Sequence, residues 1–184
     1  MQTIRINDKL FQQYITSDEI QLRVTEIADE LLKKYEDKKP VFIIVLRGAF
    51  MFAADVLKLY NAPCEIEFVK LSSYDGMASS GKINIELHLN ESKIKGRDII
   101  ILEDIVDSGL TVQQLVKTLT KKKPRSIKIC ALLSKPDRRI INVAIDYIGF
   151  KIPNKYVVGY GLDYQQKYRN LPYLAVLDIE GDQE

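Results

Sequence analysis

The chain has 184 residues, of which 46% are hydrophobic and 28% are charged, and this composition excludes a globally disordered protein. The 27 Lys and Arg residues against 25 Asp and Glu residues give a formal net charge of +2, which is too balanced for the broad basic field of a nonspecific nucleic-acid binder. The two cysteines, the polar N-terminal residues and the lack of a membrane-length apolar run predict a cytoplasmic, single-domain protein, with neither a membrane nor a nucleic acid as partner.

The first predicted elements are a helix, a strand and a second helix. A capping box between Thr16 and Glu19 begins a stretch of apolar residues at helical spacing, which predicts a helix ending near Tyr35. The continuous β-branched run Val41–Leu46 predicts a strand that is buried on both faces. Residues 49–60 are at first apolar nearly all round, as expected of a helix packed against a sheet.

The rest of the chain continues this alternation. Residues 65–71 predict a strand, the aperiodic residues 72–82 a loop, and residues 83–89 an edge strand or hairpin arm. Further strands are predicted at residues 99–102, 127–133, 144–150 and 156–160, with a helix over residues 112–119. Doubly buried strands alternating with helices indicate an α/β fold, in which a central parallel β-sheet is flanked by helices. The first helix and the segment after Gly161 lie outside the alternation and are expected to form a small cap.

The strand at residues 99–102 is followed by two acidic residues. In open parallel sheets, ligands bind beyond the carboxyl ends of the strands, and Glu103 and Asp104 are expected to emerge there side by side. Neighbouring carboxylates repel each other, the more so when they are desolvated. A Mg²⁺-bound ligand or the hydroxyls of a ribose would relieve that repulsion, because both interact favourably with carboxylate oxygens.

The next residues, Asp107, Ser108, Gly109, Leu110 and Thr111, form a predicted turn that opens into a helix. Unpaired backbone N–H groups at a helix start attract anions. The glycine allows a phosphate to approach the backbone closely, and the Ser and Thr hydroxyls add donors. Together with the preceding acids, the turn suits a phosphorylated sugar. The alternative is that Asp107 and Ser108 only cap the helix.

The string from Glu103 to Thr111 resembles the signature of the purine phosphoribosyltransferases of the type I fold, and within them the bacterial hypoxanthine (hypoxanthine-guanine) group. Further stretches agree in order along nearly the whole chain: Leu46-Arg47-Gly48, Ser73-Tyr74, Lys135, residues 157–164 and Arg169. The resemblance implies one phosphoribosyltransferase domain over residues 1–184, with a small hood formed by the N-terminal and C-terminal segments. It also implies a homodimer or a homotetramer.

The resemblance implies a transferase reaction. The 5-phosphoribosyl group would pass from phosphoribosyl pyrophosphate to hypoxanthine, guanine or both, with Mg²⁺ as the cofactor. Breaking the anomeric bond leaves positive charge on the ribose and negative charge on pyrophosphate, so catalysis is expected to be mainly positioning and charge stabilisation. By the resemblance, Glu103 and Asp104 hold the ribose hydroxyls and Mg²⁺, and Asp107 takes the proton from the reacting purine nitrogen. Residues 107–111 hold the 5′-phosphate.

The resemblance also assigns residues to the purine. Lys135 would meet the exocyclic oxygen, which favours 6-oxopurines because adenine presents a donor at that position. Tyr156 would lie over the purine face, and the backbone of Val157 would read the Watson–Crick edge. Without the family, Lys135 is typical of a surface lysine and Tyr156 of core packing.

The leaving group has its own implied residues. Arg47 and Gly48 resemble the pyrophosphate loop, whose leading peptide is often cis, although the family commonly has Lys where this chain has Arg47. Arg169 would grip pyrophosphate, and Asp163 would anchor a second Mg²⁺.

Residues 72–82 form a candidate lid over the reacting centre. Ser73 and Tyr74 match the loop pair of the family, and closure of such a segment would exclude water. The alternative is an ordinary surface loop. Two other functions remain open: a xanthine- or guanine-preferring relative, and an RNA-binding transcription attenuator on the same fold, which would need a basic face.

Overall fold

The computed structural model describes residues 3–6, 9–73, 83–86 and 91–177. The first half contains β1 (Thr3–Ile6), β2 (Lys9–Ile15), α1 (Ser17–Tyr35), β3 (Val41–Leu46), α2 (Phe50–Leu59), β4 (Glu65–Ser73) and β5 (Ile83–Glu86). The second half contains β6 (Asp98–Val106), α3 (Leu110–Thr120), β7 (Ser126–Ser134), β8 (Tyr147–Lys151), β9 (Val157–Val158) and β10 (Leu174–Leu177).

The main sheet has the strand order β5-β4-β3-β6-β7-β8. Strands β4, β3, β6, β7 and β8 are parallel to one another, and β5 runs antiparallel at the edge. Alternate residues of each buried strand enter different cores, as the two-residue period of a strand requires. Phe42 and Ile44 of β3 pack with α1 and α2, whereas Val41 and Ile43 pack with α3. The predicted α/β sheet with helices on both faces is therefore confirmed.

Helix α1 begins with the predicted capping box. The Thr16 Oγ1 atom accepts a hydrogen bond from the Glu19 N–H at 3.2 Å, and the Glu19 carboxylate accepts one from the Thr16 N–H at 2.8 Å. The helix ends at Tyr35, as predicted. It does not belong to a cap, however, because its buried residues share one core with α2 and the main sheet. Its amphipathic face is long enough to cover strands of that sheet directly.

A second, small sheet has the order β1-β2-β10-β9 and joins strands from both ends of the described chain. Strands β1 and β2 were not predicted from the sequence. The predicted strand at residues 156–160 is longer than β9, which has two residues, and the predicted strand at residues 144–150 begins three residues before β8. The two valines of β9 enter different cores: Val157 packs into the core of α1 and α2, and Val158 packs with Phe11 in the core of the small sheet.

Strand β6 is longer than predicted. It continues to Val106 because Ile105 and Val106 remain paired with Leu133 and Ser134 of β7. Glu103 and Asp104 therefore lie inside the strand and do not follow its end. A prediction based on apolar residues finds only the buried part of a strand. It ends the strand at the first acidic residue, although the backbone pairing can continue beyond that residue.

Part of the predicted lid lies outside the described residues. Strand β4 extends through Ser73, and β5 confirms residues 83–86 of the predicted edge strand. Residues 74–82, which include Tyr74, lie between these strands and outside the described residues. Within the described ranges, no helix is both long and apolar enough to cross a membrane.

Candidate active site

The two acids of β6 face opposite sides of the main sheet, as neighbours on a strand do. Asp104 meets the loop after β3, where a Cβ added to Gly48 would overlap its Oδ2 atom. Glu103 instead lines a small cavity of about 70 Å³ together with residues of the turn at 107–111. The expectation that both carboxylates emerge side by side is thus corrected: a single strand presents one acid to each side.

Both carboxylates are held in surroundings that disfavour their charge. Glu103 is 5% exposed, and its Oε2 atom has no hydrogen-bond partner among the described residues. Burial and the neighbouring Asp104 charge raise the pKa of Glu103 well above its usual range. Burial raises the pKa of Asp104 to about 6, although the Ile105 N–H and Arg169 act in the opposite direction. Such groups gain most from a cation or a hydroxyl donor brought by a ligand.

Asp104 borders a group of residues that we call the carboxylate–arginine cluster: Arg47, Gly48, Asp104, Asp163 and Arg169. Within it, Arg169 Nη2 lies 2.6 Å from Asp163 Oδ1, and Arg169 Nη1 donates to the Gly161 carbonyl at 2.8 Å. The charges of Arg169 and Asp163 both act on the pKa of Asp104. The structure therefore places in one cluster Arg47 and Arg169, which the resemblance assigns to pyrophosphate, and Asp163, which it assigns to the second metal.

Gln166 and Gly161 complete the cluster. Gln166 was not predicted, and Gly161 lies in the family-like stretch 157–164 but was assigned no role. The Gln166 Oε1 atom accepts hydrogen bonds from Arg47 Nη1 and from Arg169 Nη2, each at 3.2 Å. Gly161 has φ +100°, and a Cβ there would overlap the carbonyl oxygen of Gly48. The peptide between Leu46 and Arg47 is cis, as the resemblance implies. The two loops thus pack backbone against backbone.

The turn at residues 107–111, which we call the phosphate turn, opens into α3 as predicted. Gly109 has φ +85° and occupies the N-cap position. Leu110 N–H donates to Ser108 Oγ at 3.4 Å. The first N–H groups of a helix have no partner within it, so Thr111 and its neighbours present donors at this end of α3.

Lys135 and Asp107 follow the ends of two neighbouring strands. The Lys135 N–H donates to the Val106 carbonyl at 3.0 Å. Its side chain is not a surface lysine, because the residue is 7% exposed and burial lowers the pKa of its ammonium. Asp107 Oδ2 lies 3.3 Å from Arg138 Nη1, whereas Oδ1 is buried without a hydrogen-bond partner among the described residues.

Val157 begins β9 of the small sheet, and Tyr156 immediately precedes it. Tyr156 is 49% exposed and donates its hydroxyl hydrogen to the Asp163 carbonyl at 3.0 Å, so it is not a core residue. Val157 is buried. The segment that leads to them starts beside Lys135, since the Ile152 N–H donates to the carbonyl of the preceding residue, Ser134, at 2.9 Å.

Two arginines near Lys135 were also missed. Arg138 contacts Asp107, and Arg139 bonds both Val106 and Ser134. Their signal was present, since they follow the same strand end that singled out Lys135.

A divalent metal fits this site only with help from a substrate. Among the described residues, no group of three or more His, Cys, Asp or Glu side chains could hold a metal ion. Mg²⁺, however, is commonly bound by one or two carboxylates together with substrate phosphates. Asp104 and Asp163, which lie in the same cluster and whose charges interact, offer that kind of donor set.

Comparison with known families decides the kinship of the chain. Residues 12–165 match the family model of the phosphoribosyl transferase domain. The chain belongs to the phosphoribosyltransferase family. A hypoxanthine-guanine phosphoribosyltransferase of Bacillus subtilis is 46% identical over 164 residues, which cover 89% of this chain and 91% of that protein. The predicted family is confirmed.

Other relatives differ in length. A crystal structure of a hypoxanthine phosphoribosyltransferase from Staphylococcus aureus matches with a TM-score of 0.85 and 38% identity, covering 91% of both chains. The bifunctional protein TilS/HprT of Listeria monocytogenes is 44% identical over 167 residues, which cover 90% of this phosphoribosyltransferase and 26% of that protein. The chain thus spans about a quarter of the length of the bifunctional relatives.

Proposed function

We propose that this phosphoribosyltransferase transfers the 5-phosphoribosyl group from phosphoribosyl pyrophosphate to hypoxanthine and guanine. The products are inosine or guanosine monophosphate and pyrophosphate, so the reaction serves purine salvage. One observation carries the proposal: the phosphate turn and Lys135 begin at adjacent strand ends, joined by the hydrogen bond from Lys135 N–H to Val106 O at 3.0 Å. A base and a 5′-phosphate of one nucleotide would be held at these two ends.

The carboxylate–arginine cluster would serve the leaving group. Arg169 and Arg47, both bonded to Gln166 Oε1, would face the pyrophosphate oxygens as their negative charge develops. Asp163 and Asp104 would hold Mg²⁺ at the cluster. The ribose would lie between the cluster and the phosphate turn, so that Asp104 reaches its hydroxyls from the cluster and Glu103 reaches them from the cavity beside the turn. When bound, Mg²⁺ supplies positive charge that offsets the charge of the departing pyrophosphate.

The purine would lie between the two sheets. Lys135 would donate to the 6-oxygen, and the orphaned Oδ1 of Asp107 would accept the proton of the reacting ring nitrogen. Tyr156 would cover one face of the ring, and the Val157 backbone would contact its Watson–Crick edge. Burial of Lys135 strengthens a donor aimed at an acceptor oxygen, which supports the choice of 6-oxopurines.

The small sheet, the end of β4 and the assembly state concern the surroundings of the site. The small sheet would act as a hood within one domain over residues 1–184, which is supported by its strands from both chain ends. Ser73, which ends β4, and Tyr74 would begin a lid. A cytoplasmic homodimer or homotetramer is the expected form, and both cysteines are free thiols, which suits a reducing compartment.

Steady-state kinetics with hypoxanthine, guanine, xanthine and adenine, at fixed phosphoribosyl pyrophosphate and Mg²⁺, tests the proposal. We expect turnover with hypoxanthine or guanine, none with adenine, and loss of activity with a chelator that added Mg²⁺ reverses. Comparable rates with adenine would contradict the role of Lys135. Faster turnover of xanthine would favour the xanthine-preferring alternative. Salt-dependent RNA binding without turnover would favour the attenuator.

A further inference from the structure

Arg139 lies where the two main binding elements of the site meet. Its Nη2 atom donates to the Ser134 Oγ atom at 2.9 Å and to the Val106 carbonyl at 3.4 Å. Ser134 is the last residue of β7 and precedes Lys135, while Val106 is the last residue of β6 and precedes Asp107. One guanidinium nitrogen therefore joins the ends of both strands, immediately before the residues assigned to the purine.

The phosphate turn packs against the same arginine. A Cβ added to Gly109 would lie 3.2 Å from Arg139 Cδ and 2.7 Å from the Ile141 carbonyl. The N–H groups of Ile140 and Ile141 donate to the Ser108 carbonyl at 3.0 and 3.1 Å. The segment that carries Arg139 is therefore bonded to the phosphate turn through its backbone as well.

The strand pairing by itself ends at this point. The last paired residues of β6 and β7 are Val106 and Ser134, and the Lys135 N–H adds one bond to the Val106 carbonyl. Beyond that, two side chains connect the ends: Arg138, whose Nη1 atom lies 3.3 Å from Asp107 Oδ2, and Arg139, which bonds both the Val106 carbonyl and the Ser134 hydroxyl.

Stability alone does not explain the arginine. Its Nη1 atom is buried without a hydrogen-bond partner among the described residues. A buried N–H that lacks a partner costs free energy, so a side chain kept only to support the fold would be expected to bond all of its donors. A buried side chain that carries this cost is expected to have a role in the function of the site.

We infer that Arg139 is a positioning residue, which fixes the spacing between the purine-contacting end of β7 and the phosphate turn at the end of β6. The inference rests on the proposed function. A nucleotide is rigid enough that its base and its phosphate must be received at a set separation, and a misplacement of about 1 Å can cost about 100-fold in rate. Arg139 bonds Val106 and Ser134, so it would act through the residues that follow them, Asp107 and Lys135, and through the phosphate turn.

A double-mutant cycle tests this role. We expect Arg139→Gln to lower kcat/KM for hypoxanthine by about 10- to 100-fold. In a Lys135→Met background the same change should cost less than about 3-fold, because the contact that the spacing serves is already lost. Arg139→Lys keeps the charge and can bond one acceptor, but it cannot reproduce the planar guanidinium. Its loss should be intermediate.

Arg23 provides the matched control. Its guanidinium also donates to main-chain carbonyls, those of Ile148 at 2.8 Å and Gly149 at 3.3 Å, but it lies on α1 in contact with β8. Arg23→Gln should lower Tm without changing kcat/KM, and its effect should be the same with and without Lys135→Met. The Tm of every variant is measured, so that a misfolded Arg139→Gln protein is recognised. If that variant does not fold, Arg139→Lys replaces it in the double-mutant cycle.

The outcomes separate the two proposals. A wild-type protein without hypoxanthine or guanine turnover overturns the proposed function. An active wild type in which the effects of Arg139→Gln and Lys135→Met simply multiply overturns the positioning role alone, as does an Arg139→Lys variant with wild-type kcat/KM. A strong loss that disappears in the Lys135→Met background supports it.

Discussion

A Cβ atom added to Gly48 would overlap the Oδ2 atom of Asp104. The loop after β3 therefore rests directly on a carboxylate of β6, with no side chain between them. Because Gly161 in turn packs its Cα against the Gly48 carbonyl, three backbone segments meet at the carboxylate–arginine cluster. Small changes at either glycine are expected to displace charged groups of the site.

Gly48→Ala should impair the use of phosphoribosyl pyrophosphate. The added methyl must move either Asp104 or the loop, and we expect kcat/KM for this substrate to fall by about 10-fold or more. Gly96→Ala is the control, since Gly96 has φ +69° but no atom within 4 Å of an added Cβ. That change should lower stability by about 1 kcal/mol and leave kcat/KM unaltered. Equal kinetics for both variants would refute the tight contact.

Asp107→Asn tests whether Asp107 is the catalytic base. Asp107 does not cap α3, because the N-cap residue is Gly109 and no side chain caps the helix; the change weakens only the partly exposed ion pair with Arg138, so stability should change little. A positioned base contributes about 10²- to 10⁴-fold, so kcat with hypoxanthine should fall by that factor while inosine monophosphate still binds. Titration calorimetry with the nucleotide and steady-state kinetics provide the two readouts. Full turnover in the variant would contradict the role of Asp107 as the base.

Asp104→Asn should change how stability depends on pH. Burial raises the pKa of Asp104 from 3.8 to about 6, so the folded protein holds this proton more tightly than the unfolded chain does. The contribution of Asp104 to the free energy of unfolding therefore falls as pH rises from about 4 to about 6 and is constant above that range.

The variant lacks this contribution. It also lacks the Asp104 charge that raises the pKa of Glu103, and this second effect has the same direction. With metal and substrate absent, the Tm of Asp104→Asn relative to that of the wild type should thus increase between about pH 4 and about pH 6. Thermal melts over this range, at constant ionic strength, provide the measurement. Parallel curves of Tm against pH for the variant and the wild type would show that folding does not raise the pKa of Asp104.

Lys135→Met should weaken discrimination by the 6-substituent. A hydrogen bond from a charged donor contributes about 1.5–3 kcal/mol, so kcat/KM for hypoxanthine should fall by about 10- to 100-fold, and the advantage of hypoxanthine over adenine should shrink. Lys117→Met, at an exposed lysine of α3 that donates to Gln113, is the control and should keep wild-type kinetics. An undiminished preference in Lys135→Met would assign selectivity to another group.

The sequence was sufficient where a local pattern and the tertiary structure agree. The capping box at Thr16 located the start of α1, and the doubly apolar run Val41–Leu46 is β3 residue for residue. The acidic string located the phosphate turn because Gly109 needs the backbone freedom of a positive φ and because a helix follows it at once. These features depend on residues adjacent in sequence.

Features that depend on distant pairing were not predictable in this way. Strand β6 reaches Val106 because β7 continues beside it, which no pattern in residues 103–106 indicates. The small sheet needs β10 to lie beside β2, more than a hundred residues away. Gln166 gains its place by bonding two arginines from separate loops, and a lone glutamine in a turn carries no such signal.

Strand β9 is only two residues long, yet Val157 belongs to the larger core and Val158 to the smaller one. A repacking of either core would therefore shift the same short stretch of main chain, which is the stretch assigned to the edge of the purine. Base preference would then be a collective property of the seam between the two sheets. Selection for a new nucleobase should accumulate substitutions along that seam, several residues removed from any atom of the substrate.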